Sequence, residues 1–470
     1  MIVRENPARF TEVVGRKPVS SPEAVDAAVR RAVDARRAWA ALPLDDRIGA
    51  LRAAVDAVEA RHGELAVLLA RESGKPLPDC RGEIGFALTY ARWVCDQAPR
   101  VLAPAEVDDA AGRLLVRRLP YGVVACLTPW NAPVILALLK LVPALVAGNA
   151  VVLKPSPLAP MAVSEVAAAL PAVEVVHGGA EAGRALVGHT LVRKVAFTGG
   201  EAAGRQIAAA AGGMLTPSVM ELGGNDPALF LPDFELSEPG YERLVMASFA
   251  TSGQVCMAAK RLYVPRSRAE EFAGAYLAAA SRVLAVGDPL AEGVTMGPVV
   301  SAGARERIVA LVADAESRGG TALRLGRAVG DLDAGYFVTP VLVTGVPEDA
   351  PLVREEQFGP AVPLLVYDTE EELLARANAG ELGLAASVWS ADEERAFAMA
   401  GRVEAGFVFV NTHNRTGMSL RAPFGGVKRS GYGREYGEEG MLEYVQSGVV
   451  HAPAAFRAGG AGSAPGAYPL

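Results

Sequence analysis

The sequence predicts two doubly wound α/β domains joined to a small β arm, and three observations carry that prediction. Short apolar runs alternate with Ala-rich helical stretches, which is the pattern of a parallel sheet covered by helices. The alternation occurs twice, over residues 123–197 and again over 228–410, with the flexible pair Gly223-Gly224 between the two series. At 470 residues the chain is also longer than one ordinary domain, so more than one hydrophobic core is expected.

Taken in order, the N-terminus carries charges at Arg4, Glu5 and Arg9 and lacks the apolar core of a signal peptide. Ser21 and Pro22 begin an amphipathic helix, since Ser caps, Pro suits the first turn, and Val25, Val29 and Ala32 recur at helical spacing as far as about Trp39. A second helix places Ile48, Leu51, Val55 and Val58 on one face, and Gly74 marks a stop further on. On this reading helices open the chain. Residues 113–119 form a strand of mixed polarity bounded by the turn Pro120-Tyr121-Gly122, an arm able to leave the main body. Strands follow at 123–127, 150–153, 173–176 and 195–197. The most apolar stretch, 134–153, contains Lys140, Pro143, Gly148 and Asn149, which suits a buried helix, turn and strand and not a lipid-facing span. The second series places strands at 228–231, 261–264, 337–343, 361–366, 384–389 and 407–410, and the Gly/Ala/Pro-rich residues 457–470 predict a disordered tail.

Composition narrows the function. Hydrophobic residues at 51% and charged residues at 21% describe a folded globular chain. The net charge of −7 is spread without a Lys/Arg block, so neither nucleic acid nor an anionic membrane is an expected partner. Cys80, Cys95, Cys126 and Cys256 show no Cys-x-x-Cys spacing, which points away from a disulfide framework and a zinc site and suits a reducing cytoplasm.

Four separated segments carry residue types that fit one reaction: Thr128-Pro129-Trp130-Asn131, Glu221-Leu222-Gly223-Gly224, Gly253-Gln254-Val255-Cys256 and Glu355-Glu356-Gln357-Phe358-Gly359-Pro360. Together with Val152-Leu153-Lys154-Pro155-Ser156, Phe197-Thr198-Gly199 and Pro423-Phe424-Gly425-Gly426-Val427-Lys428-Arg429-Ser430-Gly431, they resemble the aldehyde dehydrogenase superfamily over nearly the whole chain. The resemblance implies a Rossmann-like NAD(P)-binding domain (1–102 and 120–223), a catalytic domain (224–436) and an oligomerisation arm (103–119 and 437–456) that assembles homodimers or homotetramers. It also implies an NAD(P)-dependent oxidation of an aldehyde to a carboxylic acid.

An unpaired cysteine is more often a small buried hydrophobe, but in this motif Cys256 is the nucleophile, because a thiolate attacks an aldehyde carbon readily. The resulting oxyanion needs preorganised donors, and the resemblance assigns the Asn131 amide and the Cys256 backbone N–H. Hydrolysis of the thioester needs a general base, assigned to Glu221; acyl-transferring relatives that use coenzyme A generally lack this residue, so water is the expected acceptor.

No metal is required, and the implied cofactor is NAD, with NADP possible. Its implied contacts are Trp130, Lys154, Ser156, Gly199, Gly200, Gly204, Leu222, Glu356 and Phe358. In that set Lys154 resembles the lysine on the adenosine ribose, Glu356 the glutamate on the nicotinamide ribose, and Phe358 packs beside the ring. Gly199, Gly200 and Gly204 lie where a strand enters a helix, which lets pyrophosphate approach the backbone, although the spacing is not Gly-x-Gly-x-x-Gly. Two positions depart from the family pattern: Gly200, where many relatives have Ser, and Pro157, where many have a ribose-binding Glu. The second leaves NAD against NADP open.

By the same resemblance Ala132, Ile135, Leu136, Leu139, Met257 and Phe424 line the aldehyde tunnel. Small residues at 132 and 139, where several relatives carry aromatics, point to a medium or bulky apolar or aromatic aldehyde. Arg415 and Arg421, near the expected tunnel mouth, suggest the alternative of a semialdehyde with an anionic group.

Overall fold

The structure, a computed structural model, describes residues 1–456, and the tail expected over 457–470 lies outside the described residues. The chain opens on an antiparallel hairpin, β1 (Ile2–Asn6) and β2 (Arg9–Lys17), and not on the expected helices. Hydropathy conceals it because a charged residue takes an inward position. Arg4 is 3% exposed, and its guanidinium donates to the carbonyls of Glu72 at 2.6 Å and Val300 at 3.1 Å.

Four helices follow: α1 (Pro22–Ala41), α2 (Leu44–Ala60), α3 (His62–Ser73) and α4 (Leu77–Val101). The Ser21 hydroxyl accepts from the Ala24 N–H and so caps α1, which buries Val25, Val29 and Ala32. Gly74 ends α3 in the left-handed region, φ +80°, with its N–H bonded to the Ala70 carbonyl at 2.9 Å.

After β3 (Ala105–Asp109) and β4 (Gly112–Pro120), strands and helices alternate as β5 (Val123–Leu127), α5 (Pro133–Val146), β6 (Ala150–Lys154), α6 (Met161–Ala168), β7 (Val173–Val175), α7 (Ala180–Val187), β8 (Val192–Thr198), α8 (Glu201–Gly213) and β9 (Ser218–Glu221). Strands β5 to β9 are parallel, with β5 between β6 and β8. Their side chains alternate between faces: Val124 and Cys126 join the core under α2, α4 and α5, while Val123, Ala125 and Leu127 join the core under α1 and α7. Both faces are covered, which is why these strands read as continuous apolar runs.

The second unit runs through β10 (Asp226–Phe230), α9 (Glu238–Phe249), β11 (Ala259–Pro265), α10 (Ala269–Val283), β12 (Ala285–Gly287), α11 (Ala302–Ser317), β13 (Thr321–Arg324) and β14 (Arg327–Val329). It continues through β15 (Val341–Thr344), α12 (Pro351–Arg354), β16 (Ala361–Tyr367), α13 (Glu370–Asn378), β17 (Leu382–Gly383), β18 (Ala385–Trp389), α14 (Glu393–Ala400) and β19 (Phe407–Val410). Its main sheet has the order β13-β15-β16-β11-β10-β18-β19, parallel except for β13.

Toward the C-terminus, β20 (Val427–Lys428) pairs with β17, and β21 (Gly431–Tyr432) extends the first sheet beside β9. Helix α15 (Gly437–Leu442) then leads into β22 (Val445–Pro453), which pairs with β4 along its whole length. The separate antiparallel sheet β22-β4-β3 follows from this pairing.

Candidate active site

Strands β6, β5 and β8 end side by side with Lys154, Leu127 and Phe197 in register, and one residue on Thr198 lies opposite Glu221 at the end of β9. The chain leaves β5 toward β6 and β7, then returns to the other flank of β5 as β8. Connections that depart in opposite directions leave a crevice above the strand ends. Here it is a cavity of about 850 Å³ that receives Trp130 and Asn131 from the loop after β5, Lys154 and Ser156 from β6, Gly199 and Gly200 from the turn into α8, Glu221 and Leu222 from β9, and Cys256, Glu356 and Phe358 from the second unit. Gly204 stays outside it, within α8, where an added Cβ would come 2.4 Å from Leu222 Cδ2; its smallness lets α8 lie against Leu222.

Cys256 sits on the loop between α9 and β11. Thr251, Ser252 and Gly253 precede it with φ of +56°, +58° and +69°, a region that costs an L-residue about 1 kcal/mol or more. Surrounding bonds hold the strain: Ser252 Oγ donates to Gly297 O at 2.8 Å, Gln254 Nε2 to Thr251 O at 3.0 Å, and the Val300 N–H to Gln254 Oε1 at 2.9 Å. A Cβ at Gly253 would fall 2.4 Å from the Gly359 carbonyl, so only glycine fits where the loop closes on the segment bearing Glu356 and Phe358. The loop leaves Cys256 half-buried with access to the cavity, while Cys80, Cys95 and Cys126 are buried.

Cys256 and Glu221 line the cavity together, and each bears on the other's proton affinity. Burial pushes Glu221 up to about 8, the Glu435 carboxylate adds to the rise, and Lys140 opposes it. Burial also drives the Cys256 thiol well above its usual range, with Glu221 the next cause. Both groups therefore hold their protons at rest near neutrality. Glu221 Oε1 is buried without a hydrogen-bond partner among the described residues, an acceptor left open beside the sulfur. Asn131, 5% exposed, donates one amide N–H to Gln254 O at 3.1 Å, which orients the amide and leaves its second N–H for the cavity.

Along its length the cavity changes in charge. Lys154 Nζ donates to the carbonyls of Gly178 at 3.1 Å and Pro155 at 3.2 Å, and burial lowers it to about 8. Gly200 stands at the N-cap of α8 with no side-chain cap, so the first-turn N–H groups of that helix face the cavity unshared. Glu356 accepts from the Gly224 N–H at 3.1 Å and is raised to about 7 by burial. Trp130 meets Phe358 edge to face at 5.4 Å. Three strand spacings separate the ends of β6 and β9, roughly 14 Å at about 4.8 Å each. Unshared helix N–H groups, a lysine at one end and a carboxylate at the other fit an extended dinucleotide.

The sequence model of the aldehyde dehydrogenase family matches residues 2–450. The chain belongs to that family. This aldehyde dehydrogenase is 37% identical over 457 residues to the chloroplastic aminoaldehyde dehydrogenase of Arabidopsis thaliana, an alignment covering 94% of this chain and 90% of the relative. It is 36% identical over 454 residues to glutarate-semialdehyde dehydrogenase of Pseudomonas putida, covering 94% and 92%. A cysteine-to-alanine variant of aldehyde dehydrogenase C from Pseudomonas syringae, solved with NAD⁺ and octanal, superposes with a TM-score of 0.90 at 32% identity, over 96% of this chain and 93% of that one.

In the dehydrogenase Leu136 alone of the six tunnel residues lines the cavity. Ile135, Leu139 and Phe424 are buried in the core under α4 and α5, against which Ala132, Met257 and Cys256 pack with Met418 and Leu420. Arg415, one of the two candidate anion ligands, is engaged by Asp79 at 2.8 Å. Among the described residues no cluster of His, Cys, Asp and Glu could hold a metal ion, and no helix is long and apolar enough to cross a membrane.

Two groups near the site escape sequence reasoning. Lys140, fully buried on α5, donates to Thr198 Oγ1 at 2.7 Å and to Glu435, the carboxylate that acts on Glu221. A lysine inside the most apolar stretch was the available signal, since such a charge is buried only with a partner. Arg184, exposed on α7, lines the Lys154 end of the cavity and has no ion pair among the described residues; nothing in its local sequence marks it.

Proposed function

We propose that this dehydrogenase oxidises an aldehyde to its carboxylate through a thioester on Cys256, with a nicotinamide dinucleotide as hydride acceptor and water as acyl acceptor. The observation that carries the reading is the meeting of Cys256, Glu221 and Asn131 at one end of one cavity. In molecules whose Glu221 is ionised, a fraction that grows as pH rises toward 8, the Cys256 proton passes to Glu221 and on to solvent as the sulfur bonds to the aldehyde carbon. The carbonyl oxygen becomes an oxyanion, to which the free Asn131 N–H and the Cys256 N–H donate. The bound dinucleotide supplies the hydride acceptor that turns this adduct into a thioester. Glu221 then takes a proton from the water that attacks the same carbon, the C–S bond breaks, and the carboxylate leaves.

For the cofactor, the first-turn N–H groups of α8 hold the pyrophosphate, with Gly199 and Gly200 giving it room. Lys154 and Ser156 take the adenosine ribose, Glu356 takes the nicotinamide ribose, and Trp130, Leu222 and Phe358 flank the ring. Pro157 offers no carboxylate to repel a 2′-phosphate, and the unpaired Arg184 stands at that end, so NADP is accepted as well as NAD.

The aldehyde is medium-sized or bulky and apolar. This reading rests on the aliphatic Leu136, which lines the cavity, and on Asp79, which already engages Arg415. A semialdehyde like that of the Pseudomonas putida relative is the second reading, favoured by the exposed Arg421. The residues of β3, β4 and β22 form the arm on which a second copy assembles, and residues 1–223 without that arm form the cofactor domain.

The deciding experiment is Cys256→Ser with each cofactor across aliphatic, aromatic and carboxylated aldehydes. Loss of reduced-cofactor formation with cofactor binding retained by calorimetry is the expected result. Undiminished turnover, or dependence on coenzyme A in the parent, would overturn it.

A further inference from the structure

Helix α5 starts just beyond the loop that carries Asn131, and its first turn has no cap of its own. Ala132 occupies the N-cap with no side chain able to accept a hydrogen bond, and Pro133 follows. The next two N–H groups, on Val134 and Ile135, are buried and have no intrahelical partner. Glu83, reaching across from α4, supplies one: its Oε1 accepts from the Val134 N–H at 2.8 Å and the Ile135 N–H at 3.3 Å. Its other oxygen is bonded to Lys75 Nζ, in the turn between α3 and α4. Both side chains are only 3% exposed, and neither lines the cavity.

We propose that Glu83 and Lys75 are positioning residues for Asn131: a buried ion pair that clamps the first turn of α5 and thereby sets where the Asn131 amide meets the developing oxyanion. The inference rests on the reading of Asn131 as an oxyanion donor. A carboxylate at a helix N-terminus is favoured by the charge of that end, and the bond to Lys75 holds the Glu83 side chain aimed at it. Asn131 is tied on its other side to Gln254 O, so the clamp and the nucleophile loop together fix the amide from two directions. Because the oxyanion forms only as the reaction proceeds, a loosened clamp acts on the chemical rate and leaves aldehyde binding nearly untouched.

The test is the single-turnover rate of reduced-cofactor formation in E83A/K75M and E83Q/K75M, each alone and combined with N131A. Both pairs avoid the unpaired buried ammonium that E83A alone would leave, and they differ only in whether an acceptor remains for the two N–H groups. E83A/K75M is expected to be slower by about tenfold or more with an aldehyde KM within about threefold, and E83Q/K75M to recover most of that loss. In the N131A background E83A/K75M is expected to add less than about twofold, since the residue it positions is gone. An unchanged rate in E83A/K75M, or the same fold-loss in both backgrounds, would overturn the proposal, the second outcome being what a purely structural role produces. A parental rate in N131A alone would instead sink the reading of Asn131, and this inference with it.

Discussion

Glu221 carries the sharpest residue-scale expectation, because burial first and Glu435 second raise it to about 8. A raised carboxylate holds its proton below that value, so the form able to deprotonate water grows as pH passes upward through it. The rate of thioester hydrolysis is therefore expected to climb through about pH 8 and level off above it, and Glu221→Gln to lose both the slope and a factor of about 10² or more. A stopped-flow pH series on parent and variant checks this, and a flat parental profile between pH 6 and 9 would count against it. Arg184 bears on cofactor choice: Arg184→Gln is expected to lower the ratio of NADP⁺ to NAD⁺ affinity about tenfold, the usual value of a charge-assisted phosphate contact. Calorimetric titration with both dinucleotides gives the ratio directly, and an unchanged ratio would remove Arg184 from the reading.

At the scale of elements, two glycines decide how the cavity is built. Gly253 closes the nucleophile loop at φ +69° against the Gly359 carbonyl, a position that rejects any side chain. Gly253→Ala is expected to reduce stability by roughly 1–3 kcal/mol and to impair acylation together with it, because the strained loop and Cys256 move as one. Gly204 presses α8 onto Leu222. Gly204→Val is expected to displace that helix and weaken the binding of both cofactors alike, which sets it apart from the selective change at Arg184. Thermal unfolding and dinucleotide titration on the two variants separate these effects.

At the scale of the whole molecule, the sheet β22-β4-β3 has outer edges on β22 and β3 that no strand among the described residues pairs, and it exposes Val107, Val449 and Val450. Unpaired edges carrying apolar side chains favour strand pairing with another copy. Val449→Glu with Val450→Glu is expected to shift the protein to a smaller species in light scattering, while an unchanged mass would discount the arm. The element pattern of this molecule was legible without coordinates: β5, β16 and β19 fall where apolar runs lie between turns, and α1 starts at its Ser-Pro cap. Local preference and periodicity suffice for that, because each depends on a few adjacent residues. Motif chemistry likewise singled out Cys256, Glu221 and Asn131. The hairpin under Arg4, the Lys140 partnership with Glu435 and the Glu83 clamp on α5 stayed hidden, since burying a charge depends on a partner hundreds of positions away or on another helix. Sequence alone thus anticipated most of the alternating elements after the opening hairpin and their order, and it pointed to the groups proposed to react. Which charges are buried, and how far burial shifts their proton affinity, was decided only when the two units closed over one cavity, because desolvation belongs to the packed surroundings and not to the residue.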